Sequence, residues 1–377
     1  MPQSATVLAV ARFSGRWGTA RTSETSTETT EVGTPVIPSL GNGISVPVTA
    51  EVIPPLLESL RCADHVEGGP EFLVDWAGIR TRIPMLPWAP PELAGTRTDA
   101  LPIPDDTYRS EDVEYASLAQ ALNTASSTFR VMEVGAGWAP WVVMGVVIAK
   151  RRGLEAFGIA VEADATRAGW AMQHASDNGL RARLITGTTD EVAQALRAIA
   201  AGGHGDVDVL VLQAAGWKST TTLQFPVIPD DDMGGAVWTL PGTDVDYRGA
   251  HLDHYDVPAI SMRLLLDALL GPGDPTTPDR PMADLLHIDV QGVEFELLEA
   301  TAGDVQDVTR YMAIGTHSRL NEGLLQQFFL SRGWGLIVDD PCTSVFTMTH
   351  PTLQGFTVQD GTQLWENPFL RPDFPSA

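Results

Sequence analysis

The chain has 377 residues, 24 basic and 48 acidic side chains for a formal charge of −24, and 44% hydrophobic residues. Such a length and apolar fraction suffice for a large core without disulfide or metal staples. The acidic balance, with no basic run, argues against nucleic acid held by counterion release and against anionic membranes.

Cys62 and Cys342 are the two cysteines. They lie too far apart for a disulfide framework or a CxxC metal site, and fit a reducing compartment. The longest apolar run, 139–149, contains Pro140 and Gly145 and is too short to span a bilayer. The first residues place their arginines after the apolar stretch, the wrong order for a signal peptide, so a cytoplasmic location is expected.

In chain order, residues 1–60 read as an N-terminal extension. Within it, 21–35 are rich in Ser, Thr and Glu and predict a linker, while 36–60 alternates Pro and Gly with Val and Ile. An N-terminal subdomain is expected over 61–125. Its 71–83 stretch predicts strands around a turn at Ala77 and Gly78. Prolines from Pro84 to Pro104 impose an extended connection, and 110–123 predicts a helix capped by Ser110.

From 126 the pattern becomes β-α-β. Strands are expected at 129–134, 157–162, 183–186, 285–289, 310–315 and 335–338, with another apolar run at 207–213. Helices are expected from Pro140 to about Arg152 and over 165–177, 192–201, 260–270, 293–301 and 322–331. This alternation implies an α/β fold over 126–350, a doubly wound, mostly parallel sheet with helices on both faces. Residues 217–256 read as a loop-rich insertion and 351–377 as a C-terminal tail.

Three stretches carry chemistry. In VMEVGAG at 131–137, a strand turns through Gly135, Ala136 and Gly137 into a helix opened by Pro140. Such a turn lets a ligand lie against bare backbone near helix-terminal amides. A dinucleotide site wants a third glycine where Pro140 stands. Glu133 suits a cofactor with a cationic amino-acid end, such as S-adenosylmethionine, and Glu162 ends the next strand, where an acid accepts ribose hydroxyls. The plainer alternative is an ordinary glycine turn with a surface acid.

The second stretch, LLHIDVQGVE at 285–294, puts Asp289 at the carboxyl end of a buried strand. There a carboxylate positions an acceptor hydroxyl or, with Glu294, holds a hard cation; capping of the next helix is the alternative. The third, MAIGTHSR at 312–319, ends a strand at His317, an imidazole suited to act as base or to tie down its loop. Weaker candidates are the His251 and His254 pair, the turn at Asp230, Asp231 and Asp232, and a buried His287. Trp138, Trp217 and Trp238 offer stacking faces to a sugar, although tryptophans more often pack.

These segments, in this order, resemble the FkbM-type methyltransferases, a branch of the class I S-adenosylmethionine-dependent enzymes. The matching residues are EVGAGWAPW at 133–141, VEAD at 161–164, LLHIDVQGVEFELL at 285–298 and IGTHSRLNEGLL at 314–325. GWGLIVDDPC at 333–342 and DGTQLWENP at 360–368 look like the end of a subgroup, so the resemblance covers about 65–370. It implies a Rossmann-like, seven-stranded sheet and O-methylation of a small-molecule hydroxyl, on a sugar or a secondary metabolite.

The resemblance further implies that Glu133, Gly135 and Gly137 line the methionine part and that Glu162 faces the ribose; Ala136 and Ala163, beside them in the same turns, are further cofactor-binding candidates. Asp289 would sit near the transferred methyl, with His317 as base and Asp289 and Glu294, together with Mg2+, orienting the acceptor. The regions 188–216 and 217–256 depart from the family's compact pattern and are expected to shape the acceptor pocket. Two other classes remain open: a nicotinamide-dependent oxidoreductase, disfavoured by Pro140, and a non-catalytic Rossmann-fold binding module.

Overall fold

The computed structural model describes residues 53–99, 112–229, 233, 235, 253–272, 281–346, 348 and 352–370. The expectations for residues 1–52, Ser110, Asp230, Asp231, Asp232, Trp238 and His251 lie outside them.

The core sheet is built from β1 (Thr128–Val134), β2 (Glu155–Glu162), β3 (Ala182–Ile185), β4 (Val209–Gln213), β5 (Ala283–Ile288), β6 (Thr309–Thr316), β7 (Gly335–Asp340) and β8 (Gly361–Glu366). Their spatial order is β7-β8-β6-β5-β1-β2-β4-β3. Only β8 runs antiparallel, to β6 and to β7; every other pairing is parallel.

Helices cover both faces, which is why a strand such as β4 (VLVLQ) is almost continuously apolar. Successive side chains point to opposite faces. Phe129 and Val131 of β1 accordingly join one hydrophobic cluster while Met132 and Val134 join the other. The helix Pro140–Arg151 has Trp141 through Ala149 buried, because it packs on β1 and β2 and against the neighbouring helix Asp112–Thr124. Gly158 of β2 lets that helix press close: a Cβ there would fall 2.5 Å from Val142.

Several boundaries differ from expectation. The sheet has eight strands rather than seven. The run at 207–213 is β4, inserted beside β2, and β3 is displaced to the edge. Residues 217–256 are not simply loop: Ala215–Trp217 pairs parallel with His254–Ser261, which pairs antiparallel with Thr221–Pro226. The second of these strands runs on to Ser261, which caps the following helix Met262–Leu270, so the helix begins two residues later than the apolar spacing indicated.

The separate subdomain expected at 61–125 shares the main core. Trp76 and Tyr115 meet edge to face at 4.9 Å between centroids, and Tyr115 meets Trp141 at 4.8 Å. The tail expected at 351–377 supplies β8, every residue of which is buried because it lies between two other strands. Trp365 of β8 stacks on Phe329, with centroids 4.9 Å apart.

Trp365→Ala should therefore lower unfolding free energy by about 3–5 kcal/mol, the usual range for removing a buried aromatic. Urea denaturation of the two proteins measures it.

Candidate functional site

The chain leaves β1 in one direction to β2 and reaches β5 on its other side only much later, so a crevice opens at the carboxyl ends of β1 and β5. Gly135, at φ +80°, turns the chain there, and a Cβ on it would fall 1.7 Å from the Asp289 carbonyl oxygen. No side chain fits in that gap. Gly137 at φ +54° and Ala139 at φ +58° carry the turn on into the helix.

The loop's amides are already committed. Gly135 N and Ala136 N donate to the Val161 carbonyl at 2.9 and 3.1 Å, and Gly137 N donates to Glu162 Oε2 at 2.7 Å. The amides of this turn are thus taken by the end of β2. Glu162 Oε1 accepts from Asp164 N at 2.8 Å, and burial pushes the Glu162 carboxyl up to about 7.

A cleft open to solvent lies above these strand ends. Of the residues predicted from sequence, Gly135, Glu162, Ala163 and Asp289 line it. Ala136 is buried in the turn itself. Ala214, Ala215, Gly216 and Phe225 also line the cleft; they fall within the regions 188–216 and 217–256 expected to shape the acceptor pocket, although none is singled out by sequence. The signal available for them was three small residues directly after the apolar run of β4.

Glu133 does not line the cleft. It is buried beneath the turn, where its Oε2 accepts from Val142 N at 3.2 Å at the start of the helix. Its Oε1 is 4.0 Å from His287 Nδ1, and His287 Nε2 meets Glu114 Oε1 at 2.8 Å. Burial pushes the Glu133 carboxyl up to about 8. Burial alone would lower His287, but the bond to Glu114 and the charge of Glu133 outweigh it and raise its pKa. His287 is a buried, partnered histidine at the inner end of β5.

Asp289, Glu294 and His317 come together. His317 Nδ1 meets Glu294 Oε1 at 2.9 Å and its Nε2 meets Asp289 Oδ1 at 3.2 Å. Glu294 is fully enclosed and also accepts from Gly292 N at 2.9 Å, Val290 N at 3.3 Å and Asn321 Nδ2. Burial opposes a charged imidazole, yet the Glu294 and Asp289 carboxylates prevail and hold His317 well above its ordinary value. In turn, burial would raise Asp289, but His317 outweighs it and the Asp289 carboxyl is lowered.

A protonated His317 has both ring nitrogens facing carboxylates and does not line the cleft. It is not placed as a free base toward that space. The member of the trio that faces the cleft is Asp289, whose side chain is 33% exposed.

One ligand atom from each member lies within 4.8 Å of the others. The set nevertheless does not suit Mg2+, which demands near-ideal octahedral oxygen coordination at about 2.0–2.1 Å. The imidazole stands between the carboxylates, and Glu294 is already held by backbone amides and Asn321. The expected Mg2+ is accordingly not supported. Trp138 and Trp217 are buried and pack, Trp138 against Trp88 at 5.7 Å, so neither offers a free stacking face. His254 lies in a strand of the side sheet.

The fold is thus a Rossmann-like α/β sheet with a cleft at its switch point. No protein-family model matches the chain. A protein of Jannaschia sp. (strain CCS1) described as "Putative methyltransferase" is 29% identical over 290 residues, covering 75% of this chain and 90% of that one. Among solved structures, the METTL16 MTase domain shares 12% identity over 70% of each chain, with a TM-score of 0.34. The precorrin-6y C5,15-methyltransferase of Geobacter metallireducens GS-15 shares 11% identity over 68% of this chain and 88% of that one, with a TM-score of 0.30. Among the described residues, no helix is long and apolar enough to cross a membrane.

The buried acids set a pH dependence. Glu133 rises from 4.5 to about 8 and Glu162 from 4.5 to about 7. Each binds its proton more tightly folded than unfolded, so its contribution to stability is whole below about pH 4.5 and is lost as pH rises through the folded value. Glu133→Gln keeps an acceptor for Val142 N but cannot ionise. Its melting temperature relative to wild type should rise steadily from pH 5 to pH 8, and thermal melts across that range check the sign.

Proposed function

We propose that the protein is an S-adenosylmethionine-dependent O-methyltransferase of the FkbM type, acting on a hydroxyl of a small molecule such as a sugar or a secondary metabolite. The observation that carries this reading is the commitment of the amides of Gly135, Ala136 and Gly137 to β2. A dinucleotide's pyrophosphate needs such donors free. A cofactor with a cationic amino-acid end and a ribose needs bare backbone at Gly135 and a carboxylate at Glu162 instead, and both line the cleft. The description of the Jannaschia relative points the same way. A charge of −24 disfavours a nucleic-acid acceptor.

S-adenosylmethionine, when bound, supplies an activated methyl group. Glu162, with lone pairs left beyond those used by Gly137 N and Asp164 N, accepts the ribose hydroxyls. Gly135 leaves room beside the Asp289 backbone. Asp289 orients the acceptor hydroxyl and takes up its proton as the oxygen attacks; alignment of the reacting groups supplies most of the acceleration. His317 keeps Asp289 ionised and fixed, so it acts through Asp289. Glu294 and Asn321 in turn hold His317 in place.

Isothermal titration with S-adenosylmethionine tests the cofactor, and Glu162→Ala should weaken binding by about 10–100-fold, the value of a hydrogen bond to a charged group. Asp289→Asn should leave that binding within a few-fold yet lower kcat by about 10²–10⁴-fold in methyl transfer to a hydroxylated acceptor. Saturable binding of a nicotinamide dinucleotide in place of S-adenosylmethionine would overturn the reading.

A further inference from the structure

Among the described residues, two that are not glycine take a positive φ: Ala139, in the turn after β1, and Gln291, at φ +56° in the loop after β5. A long side chain is uncommon in this left-handed region, and where one persists beside a cleft the strain points to a task for it. Gln291 Nε2 donates to Asp289 Oδ1 at 2.9 Å.

The weight of that bond follows from what else holds Asp289. The same Oδ1 faces His317 Nε2 at 3.2 Å, so one carboxylate oxygen takes both donors, as its two lone pairs allow. Among the described residues, no donor reaches Oδ2. The carboxyl carbon lies against the bare backbone of Gly315 in β6, where a Cβ would fall 3.2 Å away. Gly315 thus sets how deep the group sits, but a single donor at Oδ1 would still let it pivot about that bond. His317 comes from the end of β6 and Gln291 from the loop after β5, and two donors on separate segments stop the pivot. Both bonds go to an ionised acceptor, which makes them strong ones.

We propose that Gln291 is a positioning residue: with His317 it holds Asp289 Oδ1 and leaves Oδ2 as the one oxygen offered to the acceptor hydroxyl. The inference rests on the methyl-transfer reading of the cleft. Gln291 does not line that cleft, so it acts through Asp289. Its strained backbone is what aims an amide that a glycine would lack.

Two variants of the full chain test it. Gln291→Gly removes the donor and suits the positive φ, while Gln291→Glu keeps the size and puts a second carboxylate in the donor's place. NMR of protein labelled at the aspartate carboxyl carbons follows Asp289, its signal assigned by its loss in Asp289→Asn. The titration midpoint of that signal should move up by about one pH unit in Gln291→Gly, because a donor to the ionised form is lost, and further in Gln291→Glu. Gln291→Gly should nevertheless melt no lower than wild type, since the strain is relieved. With methyl glucoside as acceptor, kcat should fall by about 10–100-fold in both variants while KM for S-adenosylmethionine stays within about twofold. A midpoint that does not move in Gln291→Gly overturns the proposal, as does an unchanged kcat in both variants. A wild type that binds no S-adenosylmethionine or methylates no glucoside, with the midpoint moving as expected, counts against the methyl-transfer reading alone.

Discussion

The contact on which the site depends is the approach of the turn after β1 to the backbone of Asp289. A Cβ at Gly135 would lie 1.7 Å from that carbonyl oxygen, so the two strand ends meet with no side chain between them. Asp289 N also donates to the Val134 carbonyl at 2.9 Å, continuing the ladder past the end of β5. The switch point thereby becomes a rigid joint: the turn fixes where a ligand rests, and Asp289 is fixed relative to the turn. Catalytic geometry tolerates little misplacement, and a joint made of backbone supplies what a pair of flexible side chains would not.

Two buried carboxylate–imidazole–carboxylate sets flank this joint. Glu114, His287 and Glu133 lie beneath the turn, and Glu294, His317 and Asp289 lie beside it. In each, an imidazole held between two acids offsets part of the charge that burial would otherwise oppose. The lower set secures the start of the helix Pro140–Arg151 through Glu133. The upper set sends one carboxylate into the cleft. An acidic protein can thus place several carboxylates near one site without mutual repulsion dispersing them.

Much of the fold was legible in the sequence, because strands covered on both faces are written as apolar runs and their helices as 3.6-residue repeats. The meeting of Asp289, Glu294 and His317 was legible only as three candidates on neighbouring segments; their mutual distances come from the register of β5 on β6. The partners of Glu133 are not legible in the sequence, for a physical reason. A glutamate beside a glycine turn reads as a surface acid or a ligand contact, and nothing local reveals that a helix start and a distant histidine compete for it. The segment GTQLWE reads as tail because three polar residues in six, Thr362, Gln363 and Glu366, are atypical of a strand with neighbours on both edges. Those groups are satisfied inside, as when Gln363 Nε2 donates to Asp339 Oδ1 at 3.1 Å.

The position of β8 also bears on how the chain matures. β6 and β7 do not pair with each other; each pairs with β8, which the ribosome makes after both. Until residue 366 clears the exit tunnel, β6 presents an open, apolar edge and β7 has no neighbour in the sheet. Such edges are templates for pairing with other chains. Completion of this protein is therefore a late event in its synthesis. The interval before β8 docks is when a chaperone has most to protect and when a truncated product is most exposed to aggregation.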